Sequence, residues 1–471
     1  MKNITMAWRN LWRNRRRTMI TSASVFFAVL FALFFRSLQL GSYDHMFRNA
    51  IEAYTGYIQV QHRDYWDEKV VDHSFPYDPE LARRVVAPDN VISDIPRFES
   101  FALASNGPQT KGVLVMGVDP EKEEHLSQVR EKKVRFRIDE KAAKNLTGHP
   151  DLPEKTKELI RSFQGTSYSN ASRLQLDLGI SDKEAPEWMP LLEAETRFEN
   201  GDIRMGDSGA WVGDNLAKFL DLDIGDTLVL IGQGYHASTA AGKYPIRGIV
   251  KMPLPDIDNK VVYLPLDICQ NLYNAGNNLT SLALAVRDNS DEALAGTLEE
   301  LSGSLGEDLR LMEWREMNEL LVNQMDADNK SGIIMIGILY LVIAFGVFGT
   351  VLMLTAERKR EFGVLVAIGM QKRKLSAVMS LEMLLVGFLG ILGGAVLGGL
   401  LILYGMHHPL IFKGEMAKMF EDYGMEPMMV FQGPDGYFLW QIVIVALMVG
   451  LALIYPLVKI RKLKVVTALR A

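Results

Sequence analysis

Ala356-Glu-Arg-Lys-Arg-Glu-Phe-Gly-Val-Leu-Val-Ala-Ile-Gly-Met-Gln-Lys-Arg-Lys-Leu375 is the stretch around which the rest of this 471-residue sequence is organised. It separates two long apolar runs, at residues 333–354 and 383–404. A helix of about 20 residues crosses the roughly 30 Å hydrocarbon core of a bilayer. Each run therefore predicts a transmembrane helix, and the quoted stretch predicts the connection between them.

The connecting stretch has a pattern of its own. It carries six basic and two acidic residues, which favours the cytoplasmic side of a membrane. The residues at the spacing of one helix face are Phe362, Leu365, Val366 and Gly369. Gly369 also suits the C-terminal end of a helix. Two interpretations stay open: a short amphipathic helix that docks into a partner's groove, or a cytoplasmic loop with ordinary positive-inside charge.

The whole sequence combines a membrane part with a soluble part, since it is 48% hydrophobic and 23% charged. Two further apolar runs, at residues 19–40 and 437–458, bring the predicted membrane spans to four. The first run is not typical of a cleaved signal peptide, because it is too long, contains Arg36 and lacks a following Ala-x-Ala site. We expect it to be an uncleaved first span.

The charge distribution predicts the orientation in the membrane. Residues 1–18, which predict a cationic amphipathic helix, carry a net charge of +6, residues 356–375 carry +4, and the tail at 459–471 carries +5. The rest of the chain carries −21 within a total of −6. By the positive-inside rule both termini are cytoplasmic, and residues 41–332 and 405–436 are extracytoplasmic.

The large segment at residues 41–332 predicts an extracytoplasmic α+β domain, because strand and helix patterns are interspersed without a doubly wound repeat. Residues 121–202, charged and proline-containing, predict an inserted subdomain, and residues 317–330 predict a helical stalk. The expected strands are 57–61, 112–118, 227–232, 244–250, 261–264 and 281–286, and the expected helices are 44–53, 79–86, 266–272 and 291–301. The predicted fold is thus a four-helix membrane domain with an α+β domain inserted between helices one and two.

The third span has a row of small residues. Gly390, Gly394 and Gly398 are spaced four apart and line one helix face, where they allow a second helix to approach closely. The alternative is that glycine is simply frequent in membrane helices. We interpret the row as a helix-packing face.

Several single residues receive ordinary structural interpretations. Cys269 is the only cysteine, so no intrachain disulfide forms, and a lone cysteine is more often a buried small hydrophobe than a reactive group. Arg36 is expected to extend toward the headgroups, and Glu382 to be an interfacial ion. The outer loop contains methionines that suit either an adaptable contact surface or ordinary packing, among them Met416, Met419, Met425, Met428 and Met429.

Motifs for catalysis and energy conversion are absent from the sequence. It has no phosphate-binding Gly-x4-Gly-Lys-Ser/Thr loop, no His-Glu-x-x-His, no Cys-x-x-Cys and no Gly-x-Ser-x-Gly. The eight histidines are scattered, and no metal site is indicated. No span carries the paired charges of an ion-coupled transporter. We therefore expect no catalytic residue and a chain that a partner drives.

The sequence resembles a known family, the FtsX-like permeases, which include MacB-type and LolC/LolE-type membrane subunits of ABC transporters. Arg360-Glu-Phe-Gly-Val-Leu-Val-Ala-Ile-Gly369 is similar to the family signature. The family's entry into the first span resembles Trp8-Arg-Asn-Leu-Trp-Arg-Asn-Arg-Arg-Arg-Thr18. The MacB-like periplasmic core resembles Val115-Met-Gly-Val-Asp-Pro120, Val212-Gly-Asp-Asn-Leu-Ala217 and Leu222-Asp-Ile-Gly-Asp226. The family's C-terminal pattern resembles Tyr455-Pro456 and Ala468-Leu-Arg470.

This resemblance implies a homo- or heterodimer of permease subunits in the inner membrane, placed on two cytoplasmic ABC ATPase subunits that bind the ATP and magnesium. The chain itself binds no cofactor and no nucleic acid. The stretch between spans two and three resembles the family's coupling helix, which assigns ATPase coupling to Glu361, Phe362, Gly363, Leu365 and Gly369. Val366 departs from the pattern, which usually has a basic residue there, and indicates a different ATPase contact.

Three functions remain open at this point. The first is ATP-driven extraction or export of an amphiphile, such as a lipoprotein, from the outer side of the inner membrane. The second is tripartite drug or peptide efflux. The third is mechanotransmission, in which an FtsX-type complex regulates a cell-wall hydrolase and moves nothing. The large outer segment favours transport, because the division-type proteins have a smaller one.

Overall fold

The computed structural model describes residues 2–13, 15–412, 416, 419–420 and 428–463. Met425 of the outer loop and residues 464–471 of the basic tail, with the Ala468-Leu-Arg470 pattern, lie outside this set. The chain divides into two compact units. The membrane unit comprises Met1–His45, Leu320–Ile411 and Met428–Ala471, and the sheet unit comprises Met46–Glu319 and Phe412–Pro427.

Most of the strands belong to the sheet unit. In chain order the described strands are β1 Ile58–His62, β2 Phe75–Pro76, β3 Val91–Asn106, β4 Gln109–Val118, β5 Phe136–Arg137, β6 Ser167–Tyr168, β7 Ala210–Gly213, β8 Thr227–Gln233, β9 Thr239–Val250, β10 Val261–Pro265, β11 Asn278–Leu279, β12 Ser281–Val286, β13 Leu309–Glu313, β14 Leu410–Ile411 and β15 Met428–Met429. The helices of four or more residues in this unit are Pro79–Val85, Glu140–Thr147, Glu154–Ser162, Ala171–Asp177, Ala185–Thr196, Asp214–Leu220, Pro255–Asp258, Leu266–Leu272, Asp291–Ser302 and Trp314–Met317, with a π-helix at Ile51–Thr55 and a 3-10 turn at Lys122–His125.

One nine-stranded sheet dominates this unit, in the order β13-β1-β12-β3-β4-β10-β7-β9-β8. Because β8 also pairs with β3, the six strands from β3 to β8 in this order close into a ring. The β4–β10 and β7–β9 pairs are parallel, and the other pairs are antiparallel. Closure of this kind leaves few free strand edges on which another chain could pair.

All six strands expected from the sequence are present, but the longest strand was not predicted. β3 has 16 residues and pairs with three other strands. Its residues from Asp94 to Ser100 are buried on both faces, so the strand has no clear alternation, and Arg97 and Glu99 give it a polar appearance. Arg97 is instead neutralised inside the fold by Glu123, to which its Nε donates over 3.0 Å.

Residues within the predicted insertion at 121–202 have a hydrophobic core of their own. It is formed by helices that follow β5, and its fully buried side chains include Ile138, Leu146, Ile160, Leu174 and Leu192. The short strands β5 and β6 pair within this insertion, with Phe136 opposite Tyr168. The charged composition noted in the sequence therefore belongs to the exposed faces of packed helices.

The membrane unit consists of long helices. Their bounds, with the short helices that flank them, are Lys2–Arg13, Arg15–Ala50, Glu319–Glu357, Lys359–Ala367, Lys372–His407, Gly436–Ala452 and Ile454–Arg461. Among the residues that the structure describes, four segments are long and apolar enough to cross a membrane, namely Thr18–Ala50, Glu319–Glu357, Lys372–His407 and Gly436–Arg461. Each contains one of the spans expected from the sequence. We call them the first to fourth spans.

Three expected boundaries differ from the structure. The predicted helix at 1–18 ends at Arg13, and residues 15–17 belong to the helix of the first span. That helix runs to Ala50 and is followed directly by the π-helix, so residues 44–53 are not a separate helix. The expected stalk and second span are one helix of 39 residues. Local hydropathy marks where a helix is apolar, whereas helices continue through polar residues until a breaker stops them.

The position of Cys269 allows a direct test of the sheet unit. Its side chain is fully buried, and burial raises the pKa of the thiol well above its usual range. Because the thiolate is the reactive species, we expect the native full-length protein at pH 8 to react with a maleimide far more slowly than the SDS-unfolded protein. Mass spectrometry of the adduct measures this. Rapid stoichiometric labelling of native protein would contradict the buried placement.

Candidate functional site

The short helix between the second and third spans, Lys359–Ala367, ends in a defined cap. Gly369 has a φ of +101°, a conformation that L side chains rarely adopt. Its N–H donates to the carbonyl oxygen of Val366 over 3.1 Å, and the N–H of Met370 donates to that of Leu365 over 3.0 Å. These two bonds form a Schellman motif, which satisfies carbonyls that the helix end would leave unpaired. Glycine at 369 therefore sets where the helix stops.

The structure divides the predicted coupling residues into a buried and an exposed group. Phe362 is 5% exposed, Gly363 is buried, and Leu365 is half-buried. Phe362 belongs to the hydrophobic core of the membrane unit, and Leu365 packs against it. The apolar face that the sequence offered to a partner is therefore turned into the chain's own helices, because it completes their core. Glu361 and Gly369 lie on the exposed side.

The exposed face of the short helix contains two apolar residues that the sequence analysis did not select. Val364 is 45% exposed and Ile368 is 76% exposed. With Glu361 they follow the i, i+3, i+7 spacing of one face. The sequence periodicity also predicts this second apolar face, but it does not tell which of the two apolar faces is buried. The packing of Phe362 decides between them.

A buried ion pair fixes the start of the short helix. Arg358, at its N-cap, forms a salt bridge through Nη1 with Glu382 of the third span. The two side chains are only 9% and 8% exposed. Glu382 was expected to be an interfacial ion, and that expectation was wrong, because Arg358 reaches it from 24 residues away in the sequence. The pair joins the short helix to the base of the third span.

The ion pair borders a cleft of about 650 Å³. Phe362, Leu365 and Met379 line its wall, and Met6 of the N-terminal helix lies at its rim. The Nε of Arg358 has no hydrogen-bond partner among the described residues. A buried pair of this kind contributes less to net stability than to holding one geometry, since desolvation offsets much of the attraction. The ion pair therefore holds the short helix and the third span in one relative position.

The three predicted packing glycines of the third span lie against the first span. A Cβ at Gly390 would be 2.7 Å from the carbonyl oxygen of Ser22, and a Cβ at Gly394 would be 2.6 Å from that of Phe26. Gly398 faces the side chain of Leu33, with 3.3 Å to its Cδ1. At Gly390 and Gly394 any side chain would collide with backbone, so the two helices approach as closely as glycine permits.

Polar contacts of Arg36 and Ser37 join the first span to other segments of the membrane unit. Arg36 donates through Nη1 to Gln39 over 2.9 Å and to Asn329 of the second span's helix over 2.8 Å. The hydroxyl of Ser37 donates to the carbonyl oxygen of Gln432 over 2.6 Å, and the N–H of Gln432 donates to the carbonyl oxygen of Ser37 over 3.0 Å. Arg36 was expected to extend to the headgroups. It is instead a link between the helices of the first and second spans.

We predict that Gly394→Ala destabilises the membrane unit, because the added Cβ must push the helices apart. Overpacking of this kind costs about 1–3 kcal/mol. Unfolding of the purified protein in mixed micelles, titrated with SDS, measures the change. The matched control is Gly450→Ala in the fourth span, where a Cβ meets nothing within 4 Å. Equal stability of the two variants would contradict the close contact.

We also predict that Arg358→Gln lowers the free energy of unfolding by about 3–5 kcal/mol, because it leaves Glu382 buried without a partner. Arg360→Gln removes the same charge from an exposed position and is expected to stay within about 0.5 kcal/mol. The double variant Arg358→Met with Glu382→Met should recover most of the loss. Similar losses in both single variants would show that the pair is not the cause.

Comparisons with known proteins find relatives of parts of this chain. Residues 333–465 match the family model described as FtsX-like permease C-terminal. Over 212 residues the chain is 22% identical to the lipoprotein-releasing system transmembrane protein LolC of Neisseria meningitidis serogroup B, strain ATCC BAA-335 / MC58. That alignment covers 44% of this chain and 50% of the relative, so the chain spans about half the length of the curated relative that it matches.

Two solved structures are similar to part of the chain. The periplasmic region of MacB from Actinobacillus actinomycetemcomitans is 10% identical with a TM-score of 0.29, and the match covers 57% of this chain and 94% of that one. The extracellular domain of the noncanonic ABC-type transporter YknZ from Gram-positive bacteria is 11% identical with a TM-score of 0.28. That match covers 55% of this chain and 100% of the YknZ domain.

The matched family segment contains the short helix, both partners of the buried ion pair, residues 333–357 of the second span and the last two spans. The resemblance seen in the sequence is thereby confirmed, and the four apolar helices agree with an inner-membrane protein. The C-terminal part of the chain, residues 333–465, is thus similar to the FtsX-like permeases.

Proposed function

We propose that this chain is a permease subunit that converts the work of a separate ABC ATPase into extraction of an amphiphile, such as a lipoprotein, from the outer side of the inner membrane. The observation that carries the proposal is the short helix of the FtsX-like segment, which exposes Ile368 and Val364 while Arg358 and Glu382 hold it on the third span. The relative LolC is named a lipoprotein-releasing system transmembrane protein, which supports the cargo class.

The exposed face formed by Glu361, Val364 and Ile368 is the proposed ATPase contact. An apolar residue that is 76% exposed at the end of a capped helix is a good anchor for a groove in a partner. Phe362, Gly363 and Leu365 act behind it, because their packing sets the angle of the helix. Gly369 ends the helix, so that Ile368 is presented on its last turn.

Motion then passes along rigid elements. A displacement of the short helix is transmitted through the Arg358–Glu382 pair to the third span, and the contacts at Gly390 and Gly394 pass it to the first span. ATP and magnesium are bound by the ATPase, and this chain supplies no catalytic group. A second permease subunit, identical or related, completes the complex, and both termini lie in the cytoplasm in this arrangement.

The test reconstitutes the full-length chain with its ATPase and permease partners in proteoliposomes that carry a radiolabelled lipoprotein. We expect ATP-dependent release of the lipoprotein by the wild type. Ile368→Asp should reduce release by about tenfold or more, since a central anchor of an interface contributes about 2 kcal/mol or more to binding. Its thermal unfolding should match that of the wild type, because the residue is exposed.

The matched control is Leu176→Asp, the same kind of change at an exposed leucine of the inserted subdomain, 40% exposed. We expect it to leave release unchanged. Normal ATP-dependent release by Ile368→Asp would refute the docking surface. Photo-crosslinking of the wild type tests the cargo: capture of a cell-wall hydrolase in place of an amphiphile would favour mechanotransmission, and capture of a drug or peptide with a periplasmic adaptor would favour tripartite efflux.

A further inference from the structure

A groove of about 570 Å³ lies between the N-terminal helix and the start of the first span. Its volume falls within the range of about 300–1,000 Å³ that is usual for small-molecule sites. The side chains that line it are mostly apolar, and they include Leu11, Trp12, Met19, Phe26, Phe27 and Leu389. An occupant must therefore present a long apolar surface.

The mouth of the groove is cationic. Arg15 lines it and is exposed, with its guanidinium carbon 5.5 Å from the centre of the Trp12 ring. Within the part of the chain that the structure describes, no carboxylate pairs with Arg15. The surrounding sequence cannot supply one, because the first acidic residue is Asp44 and residues 2–17 contain six basic residues. The polar end of an occupant is therefore expected to be anionic.

The walls of the groove are held in place without an occupant. The hydroxyl of Thr18 donates to the carbonyl oxygen of Leu11 over 3.1 Å, which ties the first span to the N-terminal helix. The N-terminal helix packs against the third span's helix, and its Ala7 and Leu11 are buried. A preformed site loses little freedom when a ligand binds, so it favours affinity.

We propose that this groove binds an anionic phospholipid from the leaflet that faces the N-terminus. Its phosphate pairs with Arg15, in a charge-assisted contact, and an acyl chain lies along Trp12, Phe26 and Phe27. The site is separate from the proposed cargo, which is taken from the opposite side of the membrane. Met6, on the same N-terminal helix, lines the cleft beside Arg358, so a bound lipid steadies a wall of the candidate coupling site.

Native mass spectrometry of the full-length protein in detergent tests the site, with titrations of dioleoylphosphatidylglycerol and, separately, dioleoylphosphatidylcholine. We expect a preference for the anionic lipid. Arg15→Gln should weaken its binding by about tenfold, the loss expected for one charge-assisted hydrogen bond. The matched control is Arg9→Gln, an exposed arginine of the neighbouring N-terminal helix that does not line the groove, and we expect a change below about twofold.

A second variant tests the apolar part of the site. Ala23 lines the groove, so Ala23→Phe should fill it and weaken the binding of the anionic lipid even though Arg15 is intact. Equal weakening by Arg15→Gln and Arg9→Gln would overturn the proposal in favour of diffuse attraction to the basic segment. Equal binding of the two lipids by the wild type, or unchanged binding by Ala23→Phe, would also overturn it.

Discussion

The first and third membrane helices touch through backbone at Gly390 and Gly394, and the spacing of the membrane unit depends on this contact. Lipid is as apolar as a leucine side chain, so helices in a bilayer gain little from burying apolar surface and associate through close packing instead. Val25, Val29 and Leu33 of the first span then complete a core with Met383 and Val445. The second span shares less of this core, since only 11% of its most apolar window is buried.

The Arg358–Glu382 pair explains how so short a helix is held in one position. A helix of nine residues has little stability by itself, so its position must come from contacts with the rest of the unit. Phe362 packs into the hydrophobic core of the membrane unit, and the ion pair sets the orientation of the helix relative to the third span. The same packing leaves Ile368 exposed on the other face. One helix therefore combines a rigid attachment to the third span with an open contact surface.

The sheet unit uses buried charge in a comparable way. Arg97, which is fully buried on β3, pairs with Glu123 and donates to the backbone oxygen of Tyr54 in the π-helix. Tyr54 in turn donates to Glu99 over 3.0 Å. These contacts fix the chain where it enters the sheet, next to Gly56, whose φ is +70°. Several hydrogen-bonded charges therefore fix the entry segment to the sheet.

The sequence by itself determined the features that depend on local composition. The four spans follow from the lengths of apolar runs, six strands follow from their local patterns, and the end of the short helix follows from Gly369. Only the tertiary structure decided which face of that helix is buried, because Phe362 and Ile368 are equally apolar in sequence. It also decided that Glu382 is a buried partner of Arg358 and that β3 is the central strand. Those features depend on residues distant in sequence, and no local pattern encodes such contacts.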